Sequence, residues 1–414
     1  ATAFNTTFFA AVSVDPTVSL QNGSSVFIAD NNVTVVDQQN YDGRFKFFDI
    51  GEEIHVNSAL PNAGSIAETT ITLARNIFIV DSIVKAFLLV DATNDVNVGL
   101  VIGASTRINL IDNRAEVQQN RHARFVHVKV TQNTGELSLQ VEHNTFILHN
   151  GGGGFVAYVP AVFKSLSVRH NTFLAMNATE SYTSSLVDFK AFTGSEPGTI
   201  RHATYVIENN THQCNDTVGK EACSALVFGK KADTLRNSTL QFSSNTIRYA
   251  GGGCGGITVL ANLTLEDGSA IELSGNSIEI TGMGDAARKP VALLDIASGN
   301  LTFSPGTSLL FDANEATVQG SSPDSSPAVE HSQSLNDTSA VVVDNLFSNG
   351  GNLTFHNNTI NMENLGNVDA SVFKVATGMT LQDGALLEFS SNPLLRVASL
   401  SNQMTSVRIF DLSQ

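Results

Sequence analysis

The sequence predicts an all-β chain wound as a right-handed parallel β-helix of eleven to twelve coils. Three observations carry that prediction: a strand-forming composition, apolar alternation in place of a helical period, and an asparagine-centred unit that recurs along the chain. The chain has 25 Phe, 32 Gly and only 9 Pro, with no Trp and 5 Tyr among 414 residues. β-Branched and aromatic residues favour strands, and Gly and Asn punctuate them as turns. No segment longer than about ten residues shows a convincing 3.6-residue apolar period. Apolar residues instead alternate, as in Ile71-Leu73, Leu137-Leu139-Val141 and Ile271-Leu273.

The repeat unit has apolar residues five and three positions before an Asn, and two and four positions after it. The first unit centres on Asn31, with Val26, Ile28, Val33 and Val35. Asn76 follows with Ile71, Leu73, Phe78 and Val80, then Asn113 with Ile108, Leu110, Ala115 and Val117. Asn144 brings Leu139, Val141, Phe146 and Leu148, and Asn171 brings Leu166, Val168 and Phe173. Asn210 is the poorest copy, with Tyr205, Ile207, His212 and Cys214. Asn245 restores the pattern with Leu240, Phe242 and Ile247, as does Asn276 with Ile271, Leu273, Ile278 and Ile280. Asn314, Asn358 and Asn392 complete the series, the last with Leu387, Phe389 and Leu394. An earlier apolar segment precedes many copies, among them Arg44–Ile50, Ala225–Phe228 and Ser371–Val375. Each coil therefore holds about three short strands: one ahead of the Asn unit, one leading into the Asn and one leaving it. Unequal spacing between copies is tolerated, because only the stacked strands must match.

The inward phase switches across the Asn, so the chain must bend there. Asn tolerates the left-handed backbone such a bend requires. Its amide can also donate to the Asn one coil on and accept from the one before, which satisfies polar groups that would otherwise be costly to bury. Eleven coils stacked at the interstrand spacing predict a rod of ~55 Å. The whole chain, 1–414, reads as one β-helix domain. Residues 1–20 form an edge segment, 319–339 a polar excursion, and 406–414 an unfinished coil. Sheet edges left open at both ends invite pairing, so head-to-tail self-association is expected.

The pattern resembles the pectin-lyase-like right-handed β-helices, whose turns carry an internal Asn ladder. The motif Phe-x-x-Asn, found here as Phe242 to Asn245, Phe311 to Asn314, Phe355 to Asn358 and Phe389 to Asn392, looks like the repeat of chlamydial polymorphic outer-membrane proteins. Large surface β-helix families of kinetoplastid protists look similar too. The repeat spans residues 26 to about 396. The companion Gly-Gly-Ala-Ile motif of the chlamydial proteins is echoed only by Gly255-Gly256-Ile257. The resemblance implies a β-helical surface protein of adhesin type.

Acidic residues outnumber basic ones 39 to 23, a net charge of −16 that disfavours nucleic acid as a partner. No apolar run reaches the length of a membrane-spanning helix. Asn-x-Ser/Thr sequons occur at Asn5, Asn22, Asn32, Asn177, Asn209, Asn215, Asn237, Asn262, Asn300, Asn336, Asn352 and Asn357, and none is a repeat-centre Asn. Glycans need solvent-facing attachment, and a start at Ala1 fits a processed leader, so a secreted or cell-surface N-glycoprotein is expected. Such a rod would meet copies of itself and cell-surface or matrix carbohydrate. Of three cysteines, Cys214 and Cys223 flank a polar loop and can bridge it; either could pair instead with Cys254 on a neighbouring coil.

A carbohydrate-active enzyme is the competing expectation, since β-helices host polysaccharide lyases and hydrolases. It would need paired carboxylates, or calcium with a basic residue, on one outer face. Asp49, Asp91, Asp188, Asp295, Asp344 and Asp411 recur near the ends of the first strands, with Asp49/Asp91 and Asp295/Asp344 expected on adjacent coils. Turn capping accounts for them as well, and the lack of Trp argues against a sugar-stacking cleft. His143 and His170 could stack at an outer corner but lack a third metal ligand. The runs Gly151–Gly154 and Gly251–Gly253 read as tight turns, since a phosphate cradle needs a following helix. No catalytic residue, metal or cofactor is assigned.

Overall fold

The computed structural model describes residues 8–14, 18–36, 44–50, 64–81, 84–91, 101–103, 105–118, 122–129, 137–149, 152–157, 163–176, 184–189, 198–217, 223–228, 233–251, 254–259, 262–281, 292–319, 338–363, 370–398 and 407–412. They form a right-handed parallel β-helix with three long sheets. Sheet I starts at Phe8–Val14 and runs through Arg44–Ile50 and Val84–Asp91 to Val407–Leu412. Sheet II holds eleven strands, from Ser25–Ala29 to Leu386–Ser390, and sheet III eleven, from Asn32–Val36 to Leu394–Ala398.

The repeat offsets are the register. Val26 pairs with Ile71, Ile71 with Ile108, and Ile108 with Leu139; the same column then continues through Leu166, Tyr205 and Leu240 to Leu387. Strands of sheets II and III alternate buried and half-exposed residues, as in Leu137–Glu142, because one face meets the core and the other solvent. Sheet I differs. Ser184–Phe189 and Cys223–Phe228 are buried at every position, which explains their near-continuous apolar reading. Inside, aromatic rings stack coil upon coil. Phe47, Phe87, Phe125 and Phe155 form a column with centroids 4.7, 4.8 and 4.9 Å apart. Phe311, Phe355 and Phe389 form another, at 4.5 Å per step.

Four expectations change. The left-handed residue is not the ladder Asn but the one before it: all eleven, from Asp30 to Ser391, have φ between 52° and 61°. The Asn is thereby freed to turn its amide inward alongside its own N–H. In the last unit the corner gains a residue at Pro393, so Leu395 rather than Leu394 pairs with Ile360, and Leu394 is 41% exposed. The glycine run near 152 is not a turn but the start of the strand Gly152–Ala157. A Cβ on Gly153 would lie 1.7 Å from the Ala123 carbonyl oxygen, so close backbone approach accounts for the glycine. Some coils also carry a further strand ahead of sheet II: Gly198–Arg201, Asp233–Arg236 and Leu263–Glu266 extend sheet I. Val407–Leu412 pairs with the strand Ala370–Gln382 as the first strand of another coil. Residues 320–337 of the expected polar excursion lie outside the described residues.

Candidate functional site: the asparagine corner and its rim

The corner between sheets II and III concentrates the chain's most regular chemistry. At each step the side-chain Nδ2 of one Asn donates to Oδ1 of the next, from Asn31 to Asn76 at 2.9 Å through to Asn358 to Asn392 at 3.2 Å. The backbone N–H of the same Asn donates to that Oδ1 as well, at 3.0 Å from Asn171 to Asn210. The second Nδ2 hydrogen goes back to a carbonyl of the preceding coil; Asn210 donates to the Val168 oxygen at 2.8 Å. Each interior amide thus uses both donors and both acceptor positions. From Asn76 to Asn358 the ladder residues are at most 5% exposed. Asn31 is exposed and Asn392 half-buried.

A second ladder, not anticipated, lines the corner before sheet II. Thr69, Thr106, Ser238, Ser269 and Thr307 are buried there. Ser238 Oγ accepts from the Ala203 N–H at 3.2 Å, and Ser269 Oγ accepts from the Ser238 N–H at 3.2 Å. All five stand seven residues before a ladder Asn, a fixed offset that was available in the sequence.

The sequon asparagines are placed differently. Asn22, Asn32, Asn209, Asn237, Asn352 and Asn357 are exposed, and Asn215, Asn262 and Asn300 are half-buried. Asn209 and Asn357 occupy the left-handed position at the rim of the Asn corner. Asn262 accepts the Asn300 N–H at 2.8 Å, and Asn237 donates to His202 Nδ1 at 2.8 Å. Asn5, Asn177 and Asn336 lie outside the described residues. The rim also carries Asp30, whose carboxyl is held below its usual range by the hydrogen bond from Arg75. His143 and His170 stack there, centroids 4.9 Å apart and rings 7° from parallel. Parallel rings aim their nitrogens side by side rather than at one point. Among the described residues, no group of three or more His, Cys, Asp or Glu could hold a metal ion.

The carboxylate pairs of sheet I lie on adjacent coils, as expected, but out of register. Asp49 stands in register with Leu89, and Asp91 with Lys129; Asp295 stands with Val342 rather than Asp344. The cause is a two-residue offset along the strand in each case. Asp188 and Asp295 share one column but are three coils apart, through Val227 and Thr258. That is ~14 Å at the interstrand spacing, against about 5–9.5 Å between the carboxyls of glycoside hydrolases. Asp411 stands in register with Lys374.

A polar cluster lies in the interior at the poorest repeat. Cys214 and Cys223 form a disulfide. His212 takes a Phe position in the aromatic column, 4.7 Å from the ring of Phe173. Its Nδ1 lies 2.9 Å from the Tyr249 hydroxyl, and its Nε2 lies 3.4 Å from Ser184 Oγ and 3.6 Å from Cys214 Sγ. Burial pushes its pKa from 6.5 down to about 3, so the ring is neutral at ordinary pH. No family model, no curated protein and no solved structure matches this chain.

Proposed function

We propose that the chain is a non-enzymatic rod of a secreted or cell-surface N-glycoprotein, a structural or adhesive element whose copies stack head to tail. The observation that carries this reading is the division of the asparagines into two classes. Ladder residues are spent on holding the coils together, whereas every described sequon Asn has an exposed or half-exposed side chain. A rod sustained from inside leaves its rim free for bulky glycans.

Self-association draws support from the polarity of the ladder. Each Asn donates toward the higher-numbered coil, so Asn31 offers a free-facing Oδ1 at one end and Asn392 offers donors at the other. Inward residues of the end coils, Val26 and Ile28 at one end and Leu387 and Phe389 at the other, are only partly buried. The resemblance to Phe-x-x-Asn surface proteins favours an adhesive role, with carbohydrate as a partner class.

The test is expression through a eukaryotic secretory pathway. Peptide mapping with and without N-glycosidase should find glycans at Asn209 and Asn357. Light scattering and electron microscopy of the 414-residue chain should show end-to-end oligomers that grow with concentration. A secreted product bare at all nine described sequons overturns the glycoprotein reading; a monomer at every concentration overturns the stacking.

A further inference from the structure

The two ends of the rod differ in sheet I. That sheet has fifteen strands; the three set ahead of sheet II, Gly198–Arg201, Asp233–Arg236 and Leu263–Glu266, leave twelve, against eleven in sheets II and III. The first end is flush, because Phe8–Val14, Ser25–Ala29 and Asn32–Val36 form one coil. At the last end Val407–Leu412 stands on Ala370–Gln382, one step beyond Leu386–Ser390 and Leu394–Ala398. One column of sheet I runs from Val12 through Phe48 and Phe373 to Phe410, eleven steps on. In sheet II ten steps lead from Val26 to Leu387, and a copy stacked in register supplies the eleventh with its own Val26. The Val12 of that copy then falls on the place that Phe410 already holds.

Both strands cannot stay. If they did, the next copy would ride one strand higher, its sheets II and III about 9.6 Å rather than about 4.8 Å from the strands below. Asn392 would then be out of reach of the next Asn31, since the steps of the ladder measure 2.9 to 3.2 Å. We propose that Val407–Leu412 is a self-capping strand, which closes the edge of sheet I in the single chain and yields its place to Phe8–Val14 of a second copy when rods join. This exchange presupposes the head-to-tail stacking proposed above and sets how readily it happens, because a paired edge is no template for another chain. The register decides which strand leaves. Were the incoming Phe8–Val14 displaced instead, Arg408 would stand in register with Lys46, which is 1% exposed, and Asp411 with Asp49. Like charges at register partners repel, the more so where water is excluded. Phe8–Val14 carries no charged residue, so its own seat above Ala370–Gln382 meets no such conflict.

The test follows hydrogen exchange of the full 414-residue chain across a concentration series, with light scattering on the same samples. As rods join, amides of Val407–Leu412 should lose protection while those of Phe8–Val14 and Ser25–Ala29 gain it. A double variant, Ile409→Pro with Phe410→Pro, frees the edge directly. Neighbouring residues of a strand turn their N–H groups to opposite edges, so one of the two prolines removes a bond to Ala370–Gln382. Association should tighten about tenfold, the worth of the five register pairs toward the low end of their range. Rods that form while Val407–Leu412 keeps its protection overturn the exchange and leave the stacking in place. A folded variant that associates no more tightly than the wild type overturns the cap. If the variant does not fold, the wild-type exchange decides by itself. Absence of association in either chain at every concentration removes the stacking, and the exchange with it.

Discussion

At the residue scale, the amide of the ladder Asn is irreplaceable by any side chain of similar size. Asn210→Leu would strip the acceptor from the Asn171 N–H and Nδ2, and the donors from the Val168 carbonyl and Asn245. Each buried group left unpaired costs about 1–3 kcal/mol, so a loss of about 3–5 kcal/mol is expected. Asn392→Leu, at the half-buried end, should cost about 1 kcal/mol or less. Urea midpoints followed by circular dichroism decide this; equal shifts at the two positions would remove the ladder's role. Gly275 tests the backbone apart from the amide. It holds the left-handed position before Asn276, and a Cβ there would meet nothing closer than Ser244 Oγ at 3.8 Å. Gly275→Ala should therefore destabilise by about 1 kcal/mol through conformation alone. The sequence revealed the Asn but not which residue takes positive φ, because Asp, Arg, His, Ser, Ala, Asn and Gly all occupy that place. The surrounding hydrogen bonds, rather than intrinsic preference, enforce it. His212 adds a pH dependence. Its pKa is about 3 when folded and buried, against 6.5 for an exposed ring. The unfolded chain binds the extra proton in between, so its contribution is complete above pH 6.5 and is lost as the pH falls toward 3. Stability of the wild type should decline across that window, and His212→Phe should flatten the decline in denaturation curves taken at several pH values.

At the scale of elements, legibility followed the faces of the sheets. Sheets II and III were readable because one face is apolar and the other polar, which fixes both periodicity and register. Leu139, Val141, Phe146 and Leu148 already defined two strands and the bend between them. Sheet I was visible only as apolar runs, since burial on both faces erases alternation. Its boundaries were accordingly less clear: the expected segment Ala225–Phe228 belongs to the strand Cys223–Phe228, and the strands beginning at Ala292, Thr338 and Ala370 run on for 12, 12 and 13 residues. The Ser/Thr ladder escaped notice for a different reason. Seven residues before the Asn nine units hold Thr, Ser, Ala or Gly but two hold Leu137 and Lys164, and a small residue is a weaker signal than a repeated amide. In those nine units the corner demands little volume, and at Thr69, Thr106, Ser238 and Ser269 the hydroxyl bonds to a neighbouring coil. Gly351 meets the first demand alone, since a Cβ there would lie 2.5 Å from the Phe303 Cβ. The polar cluster lies where the repeat reads worst. His212 and Cys214 violate the apolar rule at two successive inward positions, and both participate in interior polar chemistry rather than in packing alone.

At the scale of the whole molecule, a stack of coils gains stability from neighbours on two sides, and the terminal coils have one. The burial gradient follows: Ile71, Leu139 and Leu240 are at most 1% exposed, while Val26 and Leu387 of the same column are only partly buried. Opening should therefore begin at the ends and cost most in the middle, as local unfolding free energies track buried contacts. Native-state hydrogen exchange at low protein concentration should show the weakest protection in Ser25–Ala29 and Leu386–Ser390, and the strongest between Leu137 and Thr281. Head-to-tail stacking would give each terminal coil its missing neighbour. Raising the concentration should then protect both end strands together, leaving the central amides unchanged. Protection gained at one end alone would point to a heterologous cap rather than a second copy. Protection gained at neither end would mean that the ladder's donors and acceptors at Asn392 and Asn31 do not meet between molecules. The joint response of two strands more than 300 residues apart in sequence is what separates a continuing stack from any lateral association, because a lateral contact would shield outer faces of sheets II and III along the length of the rod.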